Sequence, residues 1–316
     1  MNRNLRTCIA PVTFAALIAV CWISPSAWAD QFDSLILDLG KDNTPAQFEA
    51  VNTLLASAQA AHPKIVAGLS NANPVTRKAC ASLLRQIRDA KDFLILAQSA
   101  ENDADWLVRE QAIQAIGDLG MAESVTTLSV IASADSMVNN RITAVRYLAH
   151  IAGAGARPAL RKIFHDDKNA AVRLNAAREL ARYGDISGYE TAKTSLNDSD
   201  WTVKYAAVGL LGYAGKQVDI ALLESIASDS EEMGLVRNES RSAAQHIKLV
   251  QLSDADQLNL LNQSLEDKDR VTREWAAKEL FARRDDKAVA VLKRIAAASG
   301  HPGQREAGMA LQGIKK

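Results

Sequence analysis

Apolar residues recur along most of the chain at spacings of three, four and seven, which is the spacing that gives an α-helix one buried face. The helical pattern is itself repeated with a period of about 32 residues, as in proteins built from tandem structural units. A basic residue marks each copy, and successive markers lie 31 to 36 residues apart. The markers are Arg77, Arg109, Arg141, Arg173, Lys204, Arg237, Arg273 and Arg305.

Two further positions in the repeat predict a helical hairpin. Three residues after the marker stands a small residue, such as Ala112, Ala144 or Ala176, which lets a neighbouring helix approach closely. Thirteen residues before most markers stands a Leu, such as Leu96 or Leu128, which we assign to a first and shorter helix. Each copy therefore predicts a short helix, a turn and a second helix that carries the marker.

Short polar residues four positions before the marker predict where the second helix begins. Asn73, Asp105, Asn169 and Asp200 occupy this position. Their side chains can accept hydrogen bonds from the free N–H groups of the first helical turn, which is worth about 1 kcal/mol each. Pro74 follows Asn73 directly, where Pro suits a helix start.

The repeated Asp…Val-Arg…Ala…Leu pattern resembles HEAT repeats, of the short kind called bilin-lyase-type or PBS lyase HEAT-like repeats. The resemblance covers roughly residues 60–316. It implies an all-α fold, a right-handed α-solenoid of about eight helical hairpins with an armadillo-type superhelix. Residues 31–61 are less regular and are interpreted as an N-terminal capping hairpin.

In HEAT-like repeats of this kind, the Asp and Arg of successive repeats form a ladder of hydrogen bonds along the stack. By resemblance, the rungs in this chain would be Asp103/Arg109, Asp135/Arg141, Asp167/Arg173, Asp198/Lys204, Glu231/Arg237 and Asp267/Arg273.

The N-terminus has the pattern of a secretory signal peptide. Arg3 and Arg6 precede an apolar run over residues 8–23, and Ala27-Trp28-Ala29 is a small-residue cleavage site. We therefore predict a signal peptide over residues 1–29, with cleavage near Ala29 and a periplasmic or secreted product. An uncleaved signal anchor and a lipid attached at Cys21 stay open as alternatives.

Three segments follow from these patterns: a signal peptide over residues 1–29, N-terminal capping helices over 30–61 and a repeat solenoid over 62–316. No membrane span is expected after cleavage, because no other long apolar run follows.

Composition excludes several classes of protein. The chain has 316 residues, of which 48% are hydrophobic and 5% aromatic, and its 37 basic and 37 acidic residues balance. Intrinsic disorder requires lower hydrophobicity and higher net charge. A nucleic-acid partner is not expected, because such binders usually carry a basic excess. The three Cys are too few for a disulfide scaffold.

No pattern of catalytic or metal-binding residues stands out. Asp-x-Asp pairs such as Asp103 and Asp105 lack the remaining ligands of a calcium loop. The five His show no i, i+4 pair. Cys80 occupies the small position of its repeat, where Cys acts as a small hydrophobe. No metal and no cofactor are expected, and the chain is predicted not to be an enzyme.

Basic and aromatic side chains accumulate on the second helices of the middle repeats. The resemblance implies that these helices line the concave face, and such a surface suits an anionic or peptide ligand. The predicted binding residues are Arg146, His150, Arg178, Arg182, Tyr205, Tyr213, Trp275 and Lys278.

The main functional prediction is a non-enzymatic, exported interaction scaffold that binds a protein or peptide partner in the cell envelope through the concave face. Solenoids offer extended surfaces of this kind. By resemblance, the alternative is a lyase or lyase subunit that attaches bilins to cysteines. The partner and the oligomeric state stay open.

Overall fold

A computed structural model describes the backbone of residues 25–283 and 285–314, and the side chains of residues 31–283 and 285–313. Most of the predicted signal peptide, residues 1–24, lies outside the described residues. Every regular element within the described ranges is helical, which confirms the all-α prediction. Among the described helices, none combines the length and the apolar character that a membrane crossing requires.

The helices follow one another with short connections and pair as hairpins. The first two, α1 and α2, precede eight hairpins that run from α3–α4 to α17–α18, so the solenoid prediction is confirmed. The first hairpin begins at Ala58, so the predicted boundary at residue 62 lies inside α3. The helices are α1 Pro25–Asp38, α2 Pro45–Ala56, α3 Ala58–Gly68, α4 Pro74–Ile87, α5 Phe93–Asn102, α6 Trp106–Leu119, α7 Ser124–Ala134, α8 Val138–Ala152, α9 Arg157–Asp166, α10 Ala170–Ala181, α11 Tyr189–Ser195, α12 Trp201–Ala214, α13 Ile220–Ser228, α14 Gly234–Leu249, α15 Asp254–Ser264, α16 Arg270–Arg283, α17 Asp286–Ala297 and α18 Gln304–Ile314.

The small position of the repeat lies where second helices of neighbouring hairpins meet. Ala112, Ala144, Ala176 and Ala207 are fully buried there. A side chain no larger than a methyl group lets the helix axes come close, so the apolar faces pack without voids. This explains why a chain with few aromatic residues builds a continuous core.

The core is divided near the C-terminal end. One cluster of buried residues extends from Phe32 to Ile247, and a second extends from Leu249 to Ala307. Correspondingly, α14 and α16 contact each other over a shorter stretch than α12 and α14 do. The last two hairpins therefore form a C-terminal unit with its own core.

Most second helices begin at the polar residue that the sequence indicates. The side chain of Asp105 accepts hydrogen bonds from the backbone N–H groups of Leu107 and Val108, at 2.8 and 3.2 Å. Asn73 and Asn169 cap α4 and α10 in the same way. These caps make each second helix begin at the same distance before its marker residue.

A ladder of ion pairs links the first repeats of the solenoid. In each rung, Nε and Nη2 of one Arg donate to the two carboxylate oxygens of the Asp in the next repeat, a geometry that gives strong and specific pairs. The rungs are Arg77–Asp103, Arg109–Asp135 and Arg141–Asp167, each with an Nε–Oδ2 distance of 2.7 Å.

The rungs differ from the predicted pairs, which joined residues of one repeat. Within a repeat, the Arg contacts the backbone of the Asp: Arg109 Nη1 donates to the carbonyl oxygen of Asp103 at 2.9 Å. The carboxylate of Asp103 is bound by Arg77 of the preceding repeat instead. Each rung Asp ends the first helix of its repeat, where its carboxylate meets the Arg on the second helix of the preceding repeat. The Arg six residues later in the same repeat reaches only the backbone carbonyl of that Asp.

The ladder ends at Arg173. Asp198 lies 25 residues further on, one short of the spacing in every rung. Arg173 Nη1 donates to the carbonyl oxygen of Asp167 at 2.9 Å, and within the described residues it forms no side-chain bond with Asp198. Asp198 instead accepts a hydrogen bond from the backbone N–H of Asp200 at 2.8 Å.

The remaining predicted rungs are replaced by other contacts, since the spacing to the next acid is no longer 26 residues. Lys204 pairs with Glu232 in place of Asp198. In place of a contact with the Glu231 carboxylate, Arg237 donates to the carbonyl oxygens of Asp229, Ser230 and Glu232. Arg273 pairs with Glu306 at 3.4 Å and donates to the carbonyl oxygen of Asp267.

The ladder carboxylates make stability depend on acid pH. Burial alone would raise the pKa of Asp103, Asp135 and Asp167, but hydrogen bonds from the neighbouring Arg and from a backbone N–H hold each pKa below its ordinary value. A depressed pKa contributes stability that is complete above the unfolded value of about 4 and is lost as pH falls through the folded value. We expect the urea concentration at which half of the protein is unfolded to stay constant from pH 7 to 5 and to decrease once the pH is below 4. An unchanged midpoint at pH 3 would contradict this linkage.

Candidate ligand-binding pocket on the second helices

A cavity of about 550 Å³ lies between the second helices of the middle and late repeats. We call it the central pocket. Its walls come from α8, α10, α12, α14 and α16, so five separate repeats contribute side chains to one space. The residues used below are Arg146, His150, Arg178, Arg182, Gly209, Tyr213, Glu239, His246, Trp275, Lys278 and Glu279.

An ion pair that crosses α12 forms one wall of the central pocket. Arg178 on α10 contacts Glu239 on α14, with 3.2 Å between Nη2 and Oε1. A Cβ atom at Gly209 of α12 would lie 2.7 Å from Nη1 of Arg178 and 2.9 Å from Oε1 of Glu239. Glycine at this position therefore leaves the space through which the pair meets.

Arg178 stays charged in this setting. Burial alone would lower the pKa of Arg178, but the carboxylate of Glu239 and other neighbouring groups raise it above the ordinary value. Its positive charge is therefore largely used within the protein and holds the pocket wall in place.

Tyr213 is enclosed by cationic and aromatic groups. The guanidinium carbons of Arg178 and Arg182 lie 5.8 and 5.5 Å from its ring centre, within cation–π range. The ring of His246 lies 4.7 Å away at 53°. Burial raises the pKa of Tyr213, so the phenol stays protonated at neutral pH.

A histidine and a carboxylate are paired at the border of α14 and α16. Nδ1 of His246 lies 2.9 Å from Oε1 of Glu279, and both side chains are largely buried. A carboxylate that accepts a hydrogen bond from one ring nitrogen orients the ring and leaves the other nitrogen available for a second partner. The pair is therefore chemically able to carry a proton.

Three groups with ligand-binding chemistry have no partner. Arg146, His150 and Lys278 are exposed, and none forms a hydrogen bond or ion pair with another residue in the described part of the chain. An exposed Arg is ordinary by itself. Here, however, all three line one cavity, so the positive charges of Arg146 and Lys278 are directed at the same space.

A second cavity of about 780 Å³ adjoins the central pocket, and we call it the flanking cleft. It shares Arg146 and Lys278 with the pocket and adds Tyr205. Its rim carries the exposed apolar side chains Trp201 and Leu235, which are 39% and 53% exposed. The flanking cleft thus joins unpaired positive charge to an apolar surface.

Seven of the eight binding residues predicted from the sequence line the central pocket, and Tyr205 lines the flanking cleft. The structure therefore brings them together, while ligand binding at this place stays a prediction. One residue differs in character: Trp275 is only 5% exposed and belongs to the C-terminal core. Its Nε1 has no hydrogen-bond partner in the described structure.

Three titratable residues of the central pocket were not predicted: Glu239, His246 and Glu279. Glu239 and His246 stand two and nine residues after the marker Arg237. Tyr213, a predicted binding residue, likewise stands nine residues after its marker Lys204. Counting the same distances from Arg237 would therefore have identified Glu239 and His246. Glu279 has no such signal, because only its contact with His246 brings it to the pocket.

Among residues 31–283 and 285–313, no three His, Cys, Asp or Glu side chains come together as a group that could hold a metal ion. The acids of the central pocket are instead committed to cations or to histidine, as Glu239 is to Arg178.

Cys80 is fully buried in the repeat core, away from the pocket. Burial raises the pKa of the Cys80 thiol to about 12, so the nucleophilic thiolate is scarce at neutral pH. We expect native protein to resist iodoacetamide at this residue, and urea-unfolded protein to react at an ordinary rate. Mass spectrometry of the peptide containing Cys80 measures both, and rapid labelling of native protein would refute the prediction.

A family model of HEAT repeats matches residues 33–117, 93–181 and 158–245, which together cover most of the chain. The protein belongs to the HEAT repeat family. This agrees with the helical hairpins, with the buried small position and with the ladder of the first repeats. A search of the curated proteins found no significant match.

Solved structures similar to this HEAT repeat protein have low sequence identity. The complex of CpcE and CpcF of phycocyanin lyase from Nostoc sp. shares 18% identity, covers 72% of this chain and 91% of that chain, and has a TM-score of 0.49. Human deoxyhypusine hydroxylase in complex with glycerol shares 17% identity, covers 91% of this chain and 96% of that chain, and has a TM-score of 0.34. An engineered protein shares 18% identity, covers 93% of this chain and 96% of that chain, and has a TM-score of 0.42.

The prediction that the chain is not an enzyme is not retained, because a phycocyanin lyase stands among the structural neighbours. A search for short sequence motifs could not find the His246–Glu279 pair, because its two members are 33 residues apart and lie in different repeats.

Proposed function

We propose that the protein binds an anionic group of a partner protein in the central pocket. The observation that carries the proposal is the convergence of Arg146 and Lys278, from α8 and α16, on one cavity where neither has an acidic partner among the described residues. Unpaired cations beside aromatic rings favour a carboxylate ligand. The half-buried ring of Tyr213 lines the same cavity and supplies contact area at low entropic cost.

Crosslinking in living cells, followed by mass spectrometry of captured proteins, tests this binding. The informative variant is Arg146→Glu with Lys278→Glu, because both side chains are exposed and unpaired. Arg178 is less suitable, since its reversal would place two acids together at Glu239.

The matched control is Lys162→Glu with Lys293→Glu, which makes the same charge change at exposed positions on first helices. We expect the pocket variant to lose captured partners and the control to keep them. Identical partners for both variants would overturn the proposal.

A lyase or lyase subunit of the bilin-lyase type is the second candidate, and the His246–Glu279 pair supports it. In this role the cations of the central pocket would bind the carboxylates of a bilin. His246 would accept the proton of an acceptor thiol while the sulfur adds to the bilin, which then takes up that proton. Cys80 does not serve as the acceptor, because it is buried.

Absorbance spectra test the lyase candidate. The full chain is incubated with a bilin and a cysteine-containing acceptor protein, and the covalent adduct is followed after denaturation. We expect His246→Asn to slow adduct formation at least about a hundredfold, the range that loss of a general base produces, while Lys162→Glu has no effect. The absence of a covalent adduct would end this candidate and leave the binding role standing.

Export to the periplasm or beyond is also proposed, on the basic and apolar pattern of residues 1–29. Cleavage after Ala29 would shorten α1 but leave Phe32 and Ile36, whose side chains belong to the core. Cell fractionation with mass spectrometry of the N-terminal peptide tests it. We expect a mature chain that begins at Asp30, and an intact N-terminus on cytoplasmic protein would refute export.

A further inference from the structure

We infer that the occupant is an extended protein segment that combines acidic side chains with a neighbouring apolar side chain. The inference rests on the proposed binding role of the central pocket and specifies the chemistry of its partner. Three features carry it: the length of the groove, the sign of its unpaired charge and the apolar rim beside that charge.

The central pocket is part of a longer groove. Arg146 and Arg182 line the central pocket, the flanking cleft and a third cavity of about 460 Å³ that extends towards Arg85 on α4. Packed helices lie about 8–10 Å apart, so the five second helices α8, α10, α12, α14 and α16 together span roughly 35 Å. An extended chain of about ten residues covers this distance. The groove therefore suits a linear segment better than a compact small molecule.

The acids that line the central pocket and the flanking cleft already contact basic groups. Glu179 contacts Arg182 at 3.3 Å, and Glu279 contacts His246 at 2.9 Å. Glu239 is held by Arg178. In the third cavity, Glu110 accepts a hydrogen bond from Gln114 at 3.5 Å, so the acidic ligand is expected in the pocket and the cleft. There the unpaired charges belong to Arg146 and Lys278, so a ligand with carboxylates gains partners without displacing an existing ion pair.

The apolar rim makes the expected ligand amphipathic. Trp201 is the first residue of α12 and Leu235 the second residue of α14, and both line the flanking cleft with large exposed surfaces. Half-buried Ile142 completes this wall. A phosphate or a bare dicarboxylate would leave the rim in water. A peptide with Leu, Phe or Trp beside its acids would cover the rim, and removal of this apolar surface from water favours binding.

Selection from a displayed library of random ten-residue peptides tests the inference, because it can be carried out before the natural partner is identified. The baits are the purified full chain, the pocket variant R146E/K278E, the rim variant W201S/L235S and the surface control K162E/K293E. Circular dichroism verifies that each bait is folded before selection.

We expect the unmodified chain and the surface control to enrich peptides with Asp or Glu next to a large apolar residue. The pocket variant should lose the acidic enrichment. The rim variant should lose the apolar enrichment and keep the acidic one. By fluorescence anisotropy, an enriched peptide should bind the pocket variant at least about tenfold more weakly, a change that corresponds to 1.4 kcal/mol.

Two results would overturn the inference in different ways. Acidic peptides without an apolar preference would refute the amphipathic segment and leave the anion-binding role intact. Enriched peptides without acids, bound equally by the pocket variant, would refute both the inference and the proposed function.

Discussion

Asp167→Ala is expected to destabilise the protein by about 3–5 kcal/mol, the range found when one member of a buried ion pair is removed. The carboxylate of Asp167 is 5% exposed and receives two hydrogen bonds from Arg141, which is 3% exposed. Its loss leaves a buried guanidinium without its acid. The urea midpoint measured by circular dichroism should fall accordingly.

Asp198→Ala provides the matched control for this prediction. Asp198 occupies the same position of the repeat, but it is exposed and accepts only a local backbone hydrogen bond. Its replacement should cost less than about 1 kcal/mol, as for other exposed positions. Equal losses for the two variants would show that the ladder does not stabilise the fold.

A second arm separates the cost of an unpaired charge from the value of the pair. Arg141→Met combined with Asp167→Leu removes both members and fills the space with apolar groups. Replacing a whole buried pair in this way is often neutral or stabilising. The double variant should therefore be more stable than Asp167→Ala alone.

Trp275→Ala is expected to cost about 3–5 kcal/mol, the range for truncating a large buried aromatic residue. The effect should be confined to the C-terminal unit, because the Trp275 indole belongs to the second core cluster. Solenoids transmit stability between neighbouring repeats only, so weakening the narrow contact between α14 and α16 should isolate this end. Hydrogen exchange should accelerate in α15–α18 and stay unchanged in α4–α10.

Trp201→Ala is the control for the second prediction. It removes the same side chain from an exposed position at the start of α12, so it should leave the exchange of α15–α18 unchanged. Faster exchange along the whole chain in Trp275→Ala would show that the two clusters form a single cooperative core.

Local patterns were sufficient for the helical hairpins. The apolar spacing, the buried alanines and caps such as Asp105 all act within one or two turns, so they are visible in a short stretch of sequence. The inner-face residues were predictable for a related reason. A constant phase from repeat to repeat places the same offsets on the same side, as it does for Arg146 and Arg178.

Pairing between repeats was less predictable. The ladder requires 26 residues between Arg and Asp, and a difference of one residue leaves Arg173 without its rung. Trp275 stands at an inner-face offset yet is buried, because the packing of the C-terminal unit covers it. Neither result follows from the helical period alone.

By itself, the sequence determined that this protein is an all-helical solenoid of the HEAT repeat family, because each hairpin is specified by its own apolar face and cap. Only the tertiary structure decided which charges are used internally. Arg178 meets Glu239 across Gly209, whereas Arg146 and Lys278 meet no acid among the described residues. The physical reason is that the partners of a charge come from neighbouring repeats, and their distances depend on how the helices stack.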